Sequence, residues 1–292
     1  MHDPLVCYKY RSGAAALRCL SDGTVYFAPS RELNDSLEAK FDVVDPEQYV
    51  AAIERTLADL SSQRGDTRLV RDRRAIKQIE AANAAASERF VSECEQVGIF
   101  SGAPRPDNQP MWAYYCDSGK GFCFHLEWSR SLIEKWHLIS TEVVYLREAR
   151  LLNRADDVRD VLREVSAQNP TWSLDQLKAF CLSEPFVQRV RVRAVSRAMS
   201  MKHSDWEHER EVRMLAPQAN ALPLMQEILK SVIFTCTDFP EWGPVVMLLR
   251  QLYPKVRLAQ MAFSHREPFV SSHFMTEKLV PIYLEASPWS QR

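Results

Sequence analysis

Two glutamates separated by one residue, Glu209 and Glu211, form the most chemically suggestive pair in this sequence. If residues 209–211 form a strand, side chains two positions apart share one face, and the two carboxylates lie close together. Repulsion then raises one pKa. Such a pair can stabilise a developing positive charge with one group and accept a proton with the other. If the segment is instead a helix, charges four apart, such as Glu209 and Arg213, form a solvated salt-bridged face.

Cationic and hydroxyl side chains follow two predicted strands near the N-terminus. Residues 5–11 and 24–28 are rich in β-branched and aromatic side chains, which is typical of strands. Arg11 ends the first strand, and a guanidinium can bind phosphate through two hydrogen bonds. Ser30 follows the second strand. The simpler alternative is that Arg11 pairs with Asp35, or with Glu209 in a buried ion pair, which would make these residues structural.

Several aromatic and amide side chains accompany these groups. Tyr10 lies in the first predicted strand, and Trp112 and Tyr115 lie in residues 111–116, which can form one or two helical turns. Their rings could stack on the ring of a nucleotide, but aromatic residues beside strands more often pack in the core. Asn34 follows the second strand, where it contributes to a ligand site or simply forms a turn or helix cap.

Four segments combine in a characteristic order along the chain. They are residues 8–11 (Tyr-Lys-Tyr-Arg), 26–35, 111–123 and 202–213. Together they resemble the bacterial family called domain of unknown function 2971, from about residue 8 to the strands near residue 270. The family usually has a histidine where this chain has Tyr115, and a phenylalanine and a proline where it has Leu33 and Ser36. A mechanism that needs an imidazole at position 115 therefore lacks its base here.

The order of an arginine, a serine and a late glutamate resembles that of ADP-ribosyltransferase-like enzymes. This resemblance implies NAD as a substrate and no metal. Breaking the nicotinamide glycosidic bond leaves positive charge on the ribose, which a carboxylate stabilises. The implied roles are charge stabilisation by Glu211, acceptor activation by Glu209, phosphate binding by Arg11 and ribose positioning by Ser30. The other implied cofactor-binding residues are Lys9, Tyr10, Asn34, Trp112 and Tyr115. ADP-ribose would pass to a protein or nucleic acid, or to water.

Two other functions are compatible with the same residues. A non-catalytic module could bind a nucleotide or a protein partner through them, as a sensor in bacterial phage defence. A nuclease could use Asp35, Glu209 and Glu211 with a divalent metal, although no established metal-binding spacing is visible. The sequence also leaves open delivery to another cell as a toxin or effector.

Composition and charge indicate the cellular location of the protein and the partners that it is expected to lack. The 292 residues contain 37 Lys plus Arg and 38 Asp plus Glu, and this balance argues against a dedicated nucleic-acid binder. The sequence shows neither a signal-peptide pattern nor an apolar run of about 18 residues. Seven scattered cysteines without a C-x-x-C pair favour reduced thiols. We therefore expect a cytoplasmic protein without a membrane partner.

The strands and helices predicted around these residues indicate a single α+β domain over residues 1–292. Strand patterns at both ends of the chain predict a split β core that resembles the ADP-ribosyltransferase fold. Apolar residues at spacings of three and four predict helical insertions at about 46–96 and 150–200. The stripe in the second insertion consists of Val158, Val161, Leu162 and Val165.

Overall fold

The described chain contains both strands and helices throughout its length. A computed structural model describes residues 5–35, 40–43, 55–56, 58–63, 74, 77, 90–148, 151–224, 227–262 and 271–274. The strands are β1 (Leu5–Ser12), β2 (Thr24–Pro29), β3 (Asp42–Val43), β4 (Gly98–Gly102), β5 (Gly121–Trp128), β6 (Ile139–Glu142), β7 (Val144–Leu146), β8 (Leu151–Leu152), β9 (Met201–His203), β10 (Val212–Ala216), β11 (Asn220–Pro223), β12 (Leu229–Phe234), β13 (Arg257–Ala262) and β14 (Ser271–Phe274). The helices are α1 (Gly13–Asp22), α2 (Gln109–Tyr115), α3 (Arg130–Lys135), α4 (Arg154–Gln168), α5 (Leu174–Cys181), α6 (Glu184–Ser200) and α7 (Trp242–Leu252), with 3₁₀ segments at Ser30–Glu32 and Ser204–Glu209. The α+β class predicted from the sequence is confirmed.

The chain divides into two compact units, each assembled from separate stretches of sequence. The strand-rich unit contains Met1–Pro29, Gly98–Val143 and Asp205–Arg292. The helical unit contains Ser30–Val97 and Val144–Ser204. Of the predicted site residues, the strand-rich unit holds Lys9, Tyr10, Arg11, Trp112, Tyr115, Glu209 and Glu211, and the helical unit holds Ser30 and Asn34. That the whole chain forms a single domain stays a prediction.

Two five-stranded sheets form the strand-rich unit. The first sheet has the order β1-β5-β12-β13-β14 and contains a parallel pair, β12 with β13. The second sheet has the order β11-β2-β4-β10-β6, and its neighbouring strands are antiparallel. Tyr8 and Ala103 exchange backbone hydrogen bonds of 2.8 and 2.9 Å, which join β1 to the residue after β4. The likeness to the ADP-ribosyltransferase fold stays a prediction.

The main core of the strand-rich unit draws side chains from both sheets. Phe27, Phe100 and Trp128 lie on β2, β4 and β5, and their ring centroids are 5.5, 6.2 and 5.8 Å apart in pairs. Helices α1 and α7 add Leu20 and Trp242 to the same core. Strand β5 lies inside the first sheet and is mostly buried on both faces, which explains its largely apolar sequence. This core supports the strands that carry the candidate site.

The end of β1 is held closely against β5 where it carries Arg11. Ser12 pairs with Gly121, and a β-carbon on Gly121 would lie 2.4 Å from the carbonyl oxygen of Arg11. Only glycine allows this approach. Ser12 also caps α1, because its side chain accepts the N–H of Ala15. The backbone position of Arg11 is therefore set by strand pairing on one side and by a helix start on the other.

The helical unit contains α4, α5 and α6 around a core of its own. The predicted apolar stripe on α4 is buried in this core, together with Leu177, Phe186 and Val190. Asp157 is also buried, and its carboxylate lies 2.9 Å from Arg197. In the predicted insertion at 46–96, residues 58–63 and 90–96 are helical, and most of the others lie outside the described residues. Within the described part of the chain, no helix has the length and apolar character needed to cross a bilayer.

The cysteines are free thiols, as predicted from their scatter. Six of the seven are buried, and Cys236 is partly exposed. Burial raises the pKa of Cys7 to about 11 and that of Cys116 to about 12. These two thiols therefore stay protonated at neutral pH and act as small apolar core groups.

Candidate functional site

Glu209 and Glu211 lie on either side of a tight turn. Glu209 ends the 3₁₀ segment Ser204–Glu209, and Glu211 immediately precedes β10. Arg210 between them has a left-handed backbone with φ of 48°. The strand and the helix considered for residues 209–211 are therefore both wrong, because this turn interrupts either periodicity. The solvated charged face is wrong as well, since Glu209 is 2% exposed and Glu211 is 5% exposed.

Glu211 forms a buried ion pair with Arg213. The Nε of Arg213 donates to Oε1 of Glu211 at 3.1 Å, and Nη2 donates to Oε2 at 2.9 Å. Arg213 lies on β10, which pairs with β4 on one side and β6 on the other, so its backbone is well fixed. The guanidinium stabilises the ionised carboxylate, and each carboxylate oxygen can accept a further hydrogen bond. Glu211 is thus an oriented anion at the start of a central strand.

Glu209 is held by helix α2. The hydroxyl of Tyr115 donates to Oε1 of Glu209 at 2.5 Å. Asn108 caps the start of α2 by accepting the N–H of Met111, and its Nδ2 donates to the carbonyl oxygen of His208 at 2.7 Å. Asn108 is not among the site residues predicted from the sequence. Its position before a helix predicts a cap, but nothing in the local pattern shows that its amide also reaches a segment 100 residues away.

Tyr10 and Trp112 pack against each other in a second core of the strand-rich unit. Both are buried, and their rings meet edge to face with centroids 5.4 Å apart. The Tyr10 hydroxyl donates to the carbonyl of Arg105 at 2.9 Å, and the indole Nε1 of Trp112 donates to that of Pro106 at 2.8 Å. These contacts hold the loop before α2. Both rings therefore pack in the core, and a role for either residue in ligand binding stays a prediction.

Lys9 lies on the same face of β1 as Arg11. Its ammonium donates to the carbonyl oxygen of Ser101 and lies 4.9 Å from the centroid of the Phe100 ring. Burial, and to a lesser extent the Arg11 cation, lower the pKa of Lys9 to about 7, although the carboxylates of Glu211 and Glu209 act in the opposite direction. Both glutamates and Arg11 are therefore close enough to act electrostatically on one ammonium group.

Arg11 has an unused donor. Its Nε is buried and has no hydrogen-bond partner among the described residues. Burial lowers the pKa of Arg11, which shows that its charge is poorly solvated. A buried donor without a partner costs about 1–3 kcal/mol. An anionic ligand such as a phosphate would satisfy this donor.

Ser30 and Asn34 lie in a turn of the helical unit. Ser30 starts the 3₁₀ segment Ser30–Glu32, and its carbonyl oxygen accepts the N–H of Leu33 at 3.1 Å. Asn34 follows this segment directly. The turn that the sequence offered as an alternative is present, and roles for the two residues in ligand binding stay predictions.

The comparisons with known proteins show a family similarity in the centre of the chain. Residues 111–214 match the model of the family described as "Protein of unknown function (DUF2971)". The chain is similar to this family over that segment. The DUF2971 match begins in α2 and ends in β10, so it includes Tyr115, Glu209, Glu211 and Arg213. It is shorter than the resemblance expected from the sequence, and Arg11 lies outside it. No curated protein and no solved structure matches the chain.

Replacing Tyr115 with histidine tests whether position 115 contacts Glu209 in solution. The hydrogen-bonded carboxylate should favour the imidazolium and raise its pKa from about 6.5 to about 7.5. NMR titration of the new imidazole measures this pKa. Adding Glu209→Gln should remove the increase, and Tyr114→His, at an exposed neighbouring position, should titrate near 6.5. An imidazole at position 115 that titrates identically with and without Glu209→Gln would contradict the contact.

Proposed function

We propose that the strand-rich unit binds NAD and cleaves its nicotinamide glycosidic bond, with transfer of ADP-ribose or hydrolysis. The observation that carries this proposal is the clustering of Glu209 and Glu211, two buried carboxylates, within electrostatic reach of the Lys9 ammonium. Arg11 adds a second cation with an unused donor. Anionic and cationic groups are both needed for a substrate that carries phosphates and develops positive charge elsewhere.

The carboxylates supply the groups for bond cleavage. When the bond between ribose C1′ and the nicotinamide nitrogen breaks, its electron pair leaves with nicotinamide and positive charge develops on the ribose. Glu211 stabilises this charge as an anion that Arg213 orients. Glu209 accepts the proton of the attacking water or acceptor, and the hydrogen bond from Tyr115 fixes its orientation.

The cations of β1 supply the phosphate contacts. The free Nε of Arg11 donates to a phosphate oxygen, which satisfies a donor that otherwise remains buried without a partner. A bound phosphate also favours the charged form of Lys9, whose pKa burial lowers to about 7 in the free protein. NAD binding is therefore expected to take up protons between about pH 7 and 9.

A non-catalytic nucleotide-binding module is the second candidate function. The ion pair between Glu211 and Arg213 favours it, because a buried and fully oriented pair also suits a structural network. We do not propose the metal-dependent nuclease. Among the described residues, no group of three or more His, Cys, Asp or Glu side chains is arranged to hold a metal ion. The cytoplasmic location and the roles in phage defence or as an effector stay predictions.

Release of nicotinamide tests the enzyme directly. The protein is incubated with NAD, alone and with total protein, RNA or DNA, and free nicotinamide and modified polymers are measured by mass spectrometry. We expect Glu211→Gln to lower the rate of release by roughly 100- to 1000-fold, because it removes the charge that stabilises the ribose cation. Glu209→Gln should reduce transfer more than it reduces nucleotide binding.

The matched control is Glu142→Gln. Glu142 is exposed and lies on β6 opposite Val212, so the substitution removes a carboxylate one strand from the site. This variant should release nicotinamide at the wild-type rate, and thermal unfolding of every variant shows that each one is folded. Absence of nicotinamide release from the wild type would contradict the proposed cleavage of NAD. Calorimetric NAD binding that Arg11→Gln weakens would then favour the binding module.

A further inference from the structure

An exposed aromatic surface lies beside Glu209 and has no part in the proposed reaction. It consists of Tyr114, Trp206 and His208. The ring of His208 lies between the others, with centroids 5.7 Å from Tyr114 and 6.2 Å from Trp206. Tyr114 is 69% exposed, which is unusual for a large side chain at the surface of a helix. Three contiguous aromatic rings, two of them exposed, are typical of a binding surface.

Acidic side chains accompany these rings. Asp205 and Glu207 are exposed and alternate with Trp206 and His208 along the 3₁₀ segment. The exposed cation Arg210 follows this segment and has a left-handed backbone. We call Tyr114, Asp205, Trp206, Glu207 and His208 together the acidic aromatic surface.

Hydrogen bonds to backbone carbonyl groups hold the acidic aromatic surface in place. The amide of Asn108 donates to the carbonyl oxygen of His208 at 2.7 Å. The imidazole Nδ1 of His208 lies 3.0 Å from the carbonyl oxygen of Asp205. These contacts fix the 3₁₀ segment against the start of the helix that carries Tyr114. A partner therefore pays little entropy to order this surface.

We infer that the acidic aromatic surface binds a basic segment of a partner protein. The face of an aromatic ring attracts an arginine or lysine cation, and carboxylates beside the ring strengthen this attraction. A guanidinium can stack on Tyr114 or Trp206 while it donates to Asp205 or Glu207. A nucleic acid would bring phosphates towards the same two exposed carboxylates, and this repulsion makes it the poorer partner. The inference does not depend on NAD cleavage.

Peptide binding to the full-length protein tests this inference without NAD. Three fluorescent probes are compared by anisotropy: a peptide of alternating arginine and glycine, an aspartate and glycine peptide of equal length, and a single-stranded RNA. We expect the arginine peptide to bind best and to lose affinity as salt rises. Tyr114→Ala and Glu207→Lys should each weaken it at least tenfold. Arg210→Asn should strengthen it two- to threefold, and asparagine tolerates the left-handed backbone at this position.

The control variant is Tyr26→Ala, which removes a 45% exposed tyrosine from β2 in the same unit. It should bind the arginine peptide with wild-type affinity, and circular dichroism shows that each variant is folded. Equal binding by the wild type and Tyr114→Ala would overturn the inference. So would the absence of arginine-peptide binding, or RNA binding that requires Tyr114. None of these outcomes bears on nicotinamide release.

Discussion

Replacing Arg213 with methionine is expected to lower the free energy of unfolding by about 3–5 kcal/mol, because it removes a buried cation that donates two hydrogen bonds to the buried Glu211 carboxylate. Both side chains of this pair are almost fully buried, with exposures of 1% and 3%. Water therefore cannot replace the lost guanidinium. Urea unfolding measures the change, which should appear as a lower midpoint at an unchanged slope.

A double variant separates the ion pair from simple loss of packing. Glu211→Met combined with Arg213→Met removes both charges, and it should recover most of the stability that the single variant loses. Arg130→Met is the exposed control. Its partner Glu134 lies 2.7 Å away, but the two side chains are 71% and 63% exposed, so the change should stay below about 1 kcal/mol. A loss of less than about 1 kcal/mol in Arg213→Met would contradict the buried pair.

The stability of the protein is expected to rise with pH above 7 because of Lys9. Burial lowers the pKa of Lys9 to about 7 in the folded protein, against a reference value of 10.5. Between these two values the unfolded chain binds more protons than the folded protein, so raising the pH favours folding. From pH 7 to pH 9 this contribution should be on the order of 1–2 kcal/mol, below the limit of about 1.4 kcal/mol for each pH unit.

Lys9→Met removes the titrating group and keeps a side chain of similar length. Urea unfolding at several pH values should show that this variant loses the rise in stability and is the more stable protein at pH 7. Lys120→Met, at an exposed lysine in the turn before β5, is the matched control and should retain the wild-type pH dependence. If wild type and Lys9→Met respond to pH in parallel, Lys9 is not buried as a charged group.

The local elements of this fold were largely predictable from residue spacing. Strands β1 and β2 lie where β-branched and aromatic residues predict them, and the stripe on α4 is buried as its spacing predicts. Local sequence determines these elements because side-chain direction repeats every two residues in a strand and about every 3.6 in a helix. Strands β6 and β7 are separated at Val143, whose N–H donates to the carbonyl oxygen of Glu211, and this break depends on a distant segment.

The roles of the charged residues could not be predicted in the same way. Spacing suggested Glu209 with Arg213 as a surface pair, whereas Arg213 pairs with Glu211 in the interior. The turn at Arg210 caused this difference, because a left-handed residue breaks both periodicities. The Tyr10 hydroxyl and the Trp112 indole N–H donate to the loop before α2, and local spacing does not show these contacts.

The sequence by itself determined the α+β class, the positions of strands such as β1 and β2, and the similarity to the DUF2971 family over residues 111–214. Tertiary structure alone decided which chemical groups meet. Tyr115 contacts Glu209 from 94 residues away, and Lys9 contacts Ser101 from 92 residues away. Periodicity reports only which face of an element is buried. The partner of a buried charge depends on which distant strands become neighbours, and on how much water their packing excludes.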